Sequence, residues 1–368
     1  MTELLVPLPP QPDGVPWPTS AWEEAKPDVA APDRLEAMVD ELFEDPAPER
    51  LGHTHALLVV HHGRIVVERY GRRFVSELEA LAGVEPGDIT ADTPLISWSM
   101  AKSMLHAVVG TLVLDGRLSL DDRPPVAAWE GAGDPRAAIT WDHLLQMRSG
   151  LQWVEEYYEF DGDALPDVVT MLYGDERADM AAFAAGFPLV LTPGSPEAYN
   201  YSSGTSNIVS AAAGTLIGGG EGGMRVWLEE RLFGPLGMTS AEPTFDGAGS
   251  FVASSYVDAT ARDFARFGLL ALRDGVWDGQ RLLPEGWIDH GRRPRSPDEH
   301  FTHGAHWWSK PDGRWGLFNA DGFEGQRIYV VPELDLVLVR LGKTHTDHSP
   351  TMDEHLFGIT EQFDPGTG

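Results

Sequence analysis

The stretch Ile96-Ser97-Trp98-Ser99-Met100-Ala101-Lys102-Ser103-Met104 carries the decision about fold. Its Ser99 and Lys102 stand three residues apart at the start of a predicted helix, a spacing that makes their side chains neighbours. A serine hydroxyl is a weak nucleophile until a base takes its proton, and a lysine is such a base only when burial or nearby groups depress its pKa. The chain turns to arginine for almost every cation: four lysines, Lys26, Lys102, Lys310 and Lys343, stand against 23 arginines. Arginine does not deprotonate, so a lysine at 102 points to proton transfer. The spacing alone is a weak signal, because one of four lysines has roughly a one-in-five chance of following a serine in this way. Context adds to it: residues 105 to 114 are apolar enough for a buried helix, and Gly116 suits the position just past a helix end.

Composition bounds the class. With 368 residues, 42% of them hydrophobic, and 12 tryptophans, the chain can bury a large core in one big domain or two smaller ones. It has no cysteine, which excludes disulfides, thiolate metal sites and a cysteine nucleophile. No stretch approaches about 20 uninterrupted apolar residues, and the amino terminus lacks a basic segment with an apolar run, so a soluble, cytoplasmic protein is expected. A formal charge of −30 argues against nucleic acid and anionic membranes as partners. Oligomeric state is not legible.

Residues 1–32 carry eight prolines and read as an extended arm. A short amphipathic helix is predicted over 33–43. Segments 56–60 and 64–70, joined by His61-His62-Gly63, read as a hairpin, as do 326–331 and 336–340 around the turn Pro332-Glu333-Leu334-Asp335. Between these ends lies a mostly helical middle, with helices predicted over 142–147, 178–185, 205–217, 224–233 and 261–272. The fold class is therefore α+β: an antiparallel sheet built from both chain ends and flanked by helices, with an inserted, mostly helical subdomain. The expected division is the arm at 1–32, an α/β subdomain from 33–120 together with 273–368, and a helical subdomain at 121–272. A cleft is expected where the two meet.

Three ordered motifs resemble the serine β-lactamases, penicillin-binding proteins and their class C β-lactamase-like hydrolase relatives. Ser99-Met100-Ala101-Lys102 resembles their S-x-x-K. Thr140-Trp141-Asp142-His143-Leu144-Leu145-Gln146-Met147-Arg148-Ser149-Gly150-Leu151 is similar to their t-x-x-x-L-L-x-x-x-S-G-L stretch, and Tyr199-Asn200-Tyr201-Ser202-Ser203 to their tyrosine motif. The resemblance spans roughly residues 50 to 345 and is closest to the esterase and 6-aminohexanoate-dimer hydrolase branch. It implies a β-lactamase/transpeptidase-like fold. It also implies a catalytic set of Ser99 as nucleophile, Lys102 as base and Tyr201 as proton shuttle, with Tyr199 as the alternative tyrosine. The backbone amides of Ser99 and Gln326 are the implied oxyanion donors.

The family's third motif, K-T-G or H-T-G, matches Phe323-Glu324-Gly325, which puts Glu324 and Gly325 beside the substrate and supplies no cation for a substrate carboxylate. Ser203 stands where Y-x-N has asparagine. Tyr157, in a loop that folds over the site in the resembling branch, is a further candidate for substrate contact. The implied activity is hydrolysis of a small-molecule ester or linear amide through an acyl-enzyme, without cofactor. The alternatives are a β-lactamase or D-alanyl-D-alanine carboxypeptidase-like enzyme, and a non-catalytic binding protein on the same fold. No metal is expected: His300, His303, His306, His345 and His348 lie in irregular polar segments. Gly218-x-Gly220-x-x-Gly223 follows a helix rather than a strand, so it is not read as a dinucleotide fingerprint.

Overall fold

The computed structural model describes residues 5–75, 85–156, 165–298, 301–310 and 312–367. The two predicted hairpins form four adjacent strands that run from one edge of the sheet to its centre. Strands β1 (His53–His61) and β2 (Arg64–Tyr70) come from one end of the chain. The other end supplies β3 (Ser296–Pro297), β4 (Thr302–His303), β5 (Trp308–Ser309), β6 (Phe318–Gly322), β7 (Gln326–Val331) and β8 (Leu336–Lys343). All eight join one antiparallel sheet in the order β2-β1-β8-β7-β6-β5-β4-β3. The ends of the chain meet along β1 and β8, where Leu57 lies opposite Arg340 and Val59 opposite Leu338.

Side chains alternate across a strand, so each central strand feeds two cores. Ala56, Leu58 and Val60 of β1, with Ile328, Val330, Val337 and Val339, face one side. Leu57, Val59, Tyr329, Leu336 and Leu338 face the other. The second face is covered by helices α1 (Pro32–Glu41) and, near the carboxyl end, Ser349–Glu361, through Leu35, Val39, Met352, Leu356 and Ile359. The first face packs against α2 (Met100–Leu114), the helix that begins at Ser99 and has thirteen of its fifteen residues buried.

The helical middle includes α3 (Trp141–Leu145), α4 (Met180–Ala185), α5 (Ser203–Ile217), α6 (Gly220–Leu228) and α7 (Ala261–Leu272). Each start has a local cause. Thr140 and His143 form a reciprocal cap on α3, the Ser202 hydroxyl accepts from the Thr205 amide, and the Thr260 hydroxyl accepts from the Asp263 amide. α6 starts four residues earlier than its apolar pattern predicts, because its first turn, Gly220-Glu221-Gly222-Gly223, has no apolar side chain to signal it. α7, which the sequence groups with the helical middle, packs on the sheet against β1, β7 and β8.

Residues 5–31 lie along the folded body. A proline-rich segment offers carbonyl acceptors but few amide donors. Buried arginines answer them: Arg266 donates to the carbonyl of Pro18, Arg273 to those of Pro9 and the Gln11 side chain, and Arg292 to that of Val6. No helix among the described residues is long and apolar enough to cross a membrane.

Candidate active site

The turn before α2 is built to present Ser99. Trp98 holds a left-handed conformation (φ 45°), and the amides of Met100, Ala101 and Lys102 close tight turns onto the carbonyls of Ser97, Trp98 and Ser99. Ser97 anchors the turn from below, its backbone amide donating to the Val257 carbonyl and its hydroxyl accepting from the Val257 amide. The nucleophile candidate therefore sits on a pinned turn at the positive end of a buried helix.

Lys102 is fully buried, and its ammonium has three partners: the Ser99 hydroxyl at 2.9 Å, the Ser203 hydroxyl at 3.0 Å and the Ser254 carbonyl at 2.7 Å. Burial disfavours the charged form and pulls its pKa from 10.5 to about 8, with the Glu155 carboxylate opposing part of that shift. Glu155 lies beyond Ser203, accepting from its amide at 2.9 Å, from its hydroxyl at 2.6 Å and from the Trp153 indole at 2.6 Å.

Tyr201 completes the cluster. Its hydroxyl hydrogen-bonds with Ser99, and its ring lies 5.0 Å from the lysine nitrogen. Burial, the largest influence, holds the phenol well above its ordinary pKa, so it stays protonated. The segment is held in place by the motif upstream: the Asn200 amide donates to the Met147 carbonyl and its side chain to the Trp153 carbonyl. The alternative, Tyr199, turns away and donates to Asp298 at 2.6 Å.

Ser99 and Tyr201 open into a cleft of about 250 Å³. Its other walls come from distant segments: Glu155, Asp298, Trp308 at β5, Asp321 and Phe323 at the end of β6, and Arg327 and Asp353 across the sheet. Arg327 donates to Asp321 at 2.7 Å and to Asp353 at 2.8 Å. Burial nonetheless pushes the Asp321 carboxyl up to about 7.

Ser99, Lys102, Tyr201 and Ser203 thus come together as a hydrogen-bonded set. The β6–β7 hairpin differs from the sequence reading. Phe323–Gly325 is the turn between the strands, and the strand that faces the cleft is β6. Gln326 lies one strand further in, its side chain bound to the Gly342 backbone and the Phe323 carbonyl. Its neighbour across the hairpin, Gly322, is the residue against the nucleophile turn: a Cβ there would fall 2.4 Å from the Ser97 carbonyl. Gly325 serves the turn rather than the substrate, with φ at 81° and a Cβ position 2.7 Å from the Arg340 guanidinium. Glu324 accepts from the Trp98 indole at 3.3 Å and so ties the hairpin to the nucleophile turn. Tyr157 lies outside the described residues. His303 and His306 are buried behind Tyr201 and Lys102, while His345 is an exposed partner of Asp347. Glu155, Ser254, Asp298, Asp321 and Arg327 were missed in the sequence, where none has a local motif.

A family model described as beta-lactamase matches residues 40–356. The chain belongs to the beta-lactamase family. It is 26% identical over 316 residues to the 6-aminohexanoate-dimer hydrolase of Paenarthrobacter ureafaciens, covering 78% of this chain and 72% of that one. A protein of Bacillus anthracis provisionally assigned as a 6-aminohexanoate-dimer hydrolase superimposes with a TM-score of 0.70 at 21% identity, over 98% of this chain and 91% of its own. EstCE1, described as a hydrolase with promiscuous acyltransferase activity, superimposes at 0.60 and 15% identity, over 90% and 98%. The family consists of hydrolase-type serine enzymes on the β-lactamase/transpeptidase-like fold.

Proposed function

We propose that this protein is a serine hydrolase that cleaves an ester or a linear amide through an acyl-enzyme on Ser99. The observation that carries the reading is the buried Lys102 ammonium, 2.9 Å from the Ser99 hydroxyl and with a pKa lowered to about 8. At pH 7 about a tenth of such lysines are neutral, enough to accept the serine proton as the oxygen attacks a carbonyl. Tyr201 delivers a proton to the departing oxygen or nitrogen, and the same groups then activate water to hydrolyse the acyl-enzyme.

The oxyanion forms beside the Ser99 amide, and the second donor is a backbone amide from the end of β6, residues 320–322, in place of Gln326. Such donors contribute about 3 kcal/mol each. Ser203 takes the position of the family's asparagine by holding Lys102. The resemblance to a 6-aminohexanoate-dimer hydrolase favours a linear amide among the possible substrates. β-Lactamase and carboxypeptidase activities are disfavoured, because Arg327, the guanidinium at the cleft, is already paired with two carboxylates.

The test is the intact mass after incubation with a fluorophosphonate, for wild type and Ser99→Ala. One adduct on wild type and none on the variant is expected, followed by a screen of esters, linear amides and a chromogenic cephalosporin. A folded wild type that takes no adduct, or a variant that still takes one, overturns the assignment and favours a binding protein.

A further inference from the structure

Helix α5 carries a polar stripe through the core. Ser203, Asn207 and Ser210 recur at i, i+4 and i+7, so they share one face of the helix, and all three are buried. Each reaches Lys102 or the segment that supports it. The Ser203 hydroxyl meets the ammonium at 3.0 Å. Asn207 Oδ1 accepts from the Ser254 amide at 3.2 Å, and the Ser254 carbonyl in turn accepts from Lys102 at 2.7 Å. The Ser210 hydroxyl donates to the Phe251 carbonyl at 2.7 Å.

Residues 251–257 thus join α5 to the nucleophile turn. Asn207 and Ser210 hold one side of the segment. On the other, the Ser255 carbonyl accepts from the Ser97 hydroxyl at 3.3 Å, and Val257 is bonded to Ser97 through both its amide and its carbonyl. The amides of Ala253, Ser255 and Tyr256 close local turns onto the carbonyls of Phe251 and Val252, whereas the Ser254 amide turns to Asn207. The placement of residue 254 therefore depends on a side chain rather than on a helix or sheet ladder.

The choice of asparagine is informative. Only the oxygen of a carboxamide accepts from an amide, so the bond to Ser254 fixes the orientation of the side chain. Its Nδ2 is then left against the sulfurs of Met171 and Met180, each at 3.5 Å and each a weak acceptor. Leucine, of similar size, would suit both the helix interior and the methionines better. What asparagine adds is the acceptor for Ser254.

Building on the serine-hydrolase reading, we propose that Asn207 is a positioning residue: by holding the Ser254 amide it aims the Ser254 carbonyl at Lys102 and so keeps the lysine nitrogen within reach of the Ser99 hydroxyl.

The test is the rate of Ser99 labelling by an uncharged fluorophosphonate, measured on the full chain from pH 6 to 10. Asn207→Leu removes the acceptor at nearly constant volume, and Asn207→Ala serves where the leucine variant does not fold. At pH 9.5, where Lys102 is largely neutral, either is expected to label at least tenfold more slowly than wild type, because the amine is no longer held toward Ser99. The inflection should also move to lower pH, since the ammonium loses a fixed acceptor that favours its charged form. The other titratable groups around the lysine, Glu155, Tyr201, His303, His306 and Asp321, are the same in every variant, so the moved inflection reports Lys102. Asn207→Asp keeps an acceptor oxygen for the Ser254 amide and should label within threefold of wild type, with an inflection no lower. A folded Asn207→Leu or Asn207→Ala that labels at the wild-type rate overturns the positioning role, as does a slower rate with an unmoved inflection. Either result leaves the hydrolase reading standing. No adduct on wild type overturns both.

Discussion

The depressed pKa of Lys102 makes the pH dependence of Ser99 reactivity the most demanding prediction. The fall from 10.5 to about 8 corresponds to about 3 kcal/mol of preference for the neutral amine, caused first by burial. If the neutral amine is the base, reactivity follows its population: about one in a hundred at pH 6, one in ten at pH 7 and one half at pH 8. The rate of Ser99 phosphonylation by an uncharged fluorophosphonate therefore rises about fiftyfold from pH 6 to 8 and levels off above about pH 9. An uncharged probe is the right reagent, because Asp321, with a pKa of about 7, titrates in the same window and would alter the binding of a charged one. The Glu155 carboxylate holds the lysine pKa up, so Glu155→Gln, which keeps one acceptor oxygen for the Ser203 hydroxyl, shifts the inflection to lower pH. A rate that is flat between pH 6 and 8 refutes lysine as the base. One that climbs tenfold per unit beyond pH 10 refutes the depressed pKa.

Linkage gives a companion test in stability. Between pH 8 and 10.5 the unfolded chain holds the Lys102 proton and the folded chain has released it, so wild type gains stability as pH rises. Against Lys102→Met, wild type should improve by about 2 kcal/mol from pH 7 to 9.5 in urea denaturation, and an unchanged difference would contradict the shift. Gly325→Ala places a Cβ at positive φ and against Arg340 and Met352, and should lower stability by roughly 3 kcal/mol in thermal melting. Arg273→Ala strips the amino-terminal segment of its bonds at Pro9 and Gln11 and leaves Asp335 without its buried guanidinium. It should cost about 3 kcal/mol and speed proteolytic cleavage within residues 5–20, and cleavage at the wild-type rate would show that the segment is held elsewhere.

The sheet's centre was legible because β1, β7 and β8 are long and apolar and short turns join β1 to β2 and β7 to β8, so composition and punctuation agree. Strands β3, β4 and β5 were not: each has two residues, too few for a period, and Thr302, His303, Trp308 and Ser309 carry no strand signature as a group. The nucleophile, its lysine and the tyrosine were legible because helix geometry and short motifs fix them locally. The hairpin was misplaced by one strand: Phe323-Glu324-Gly325 has the look of a strand opening, yet Glu324 and Gly325 both take positive φ and make a turn. The acidic wall had no local signal, since Glu155, Asp298, Asp321 and Asp353 meet only through the fold.

The burial of α2 links these features. A lysine on a half-exposed helix would keep water around its ammonium and a pKa near 10.5, and Ser99 would have no base near neutral pH. Here thirteen of fifteen helix residues are buried, and among the described residues the ammonium's hydrogen-bonding partners are Ser99, Ser203 and Ser254, all uncharged. Placing Glu155 in direct contact with Lys102 would stabilise the fold by pairing the charge, but it would also raise the pKa and remove the base. Ser203 stands between them, bonded to both, and keeps the carboxylate one hydroxyl away. Ser203→Ala tests this arrangement: it removes the bridge and the Lys102 contact while leaving Glu155 in place, and should slow labelling of Ser99 by an uncharged fluorophosphonate at least tenfold, and labelling at the wild-type rate would show that the bridge does not hold the base.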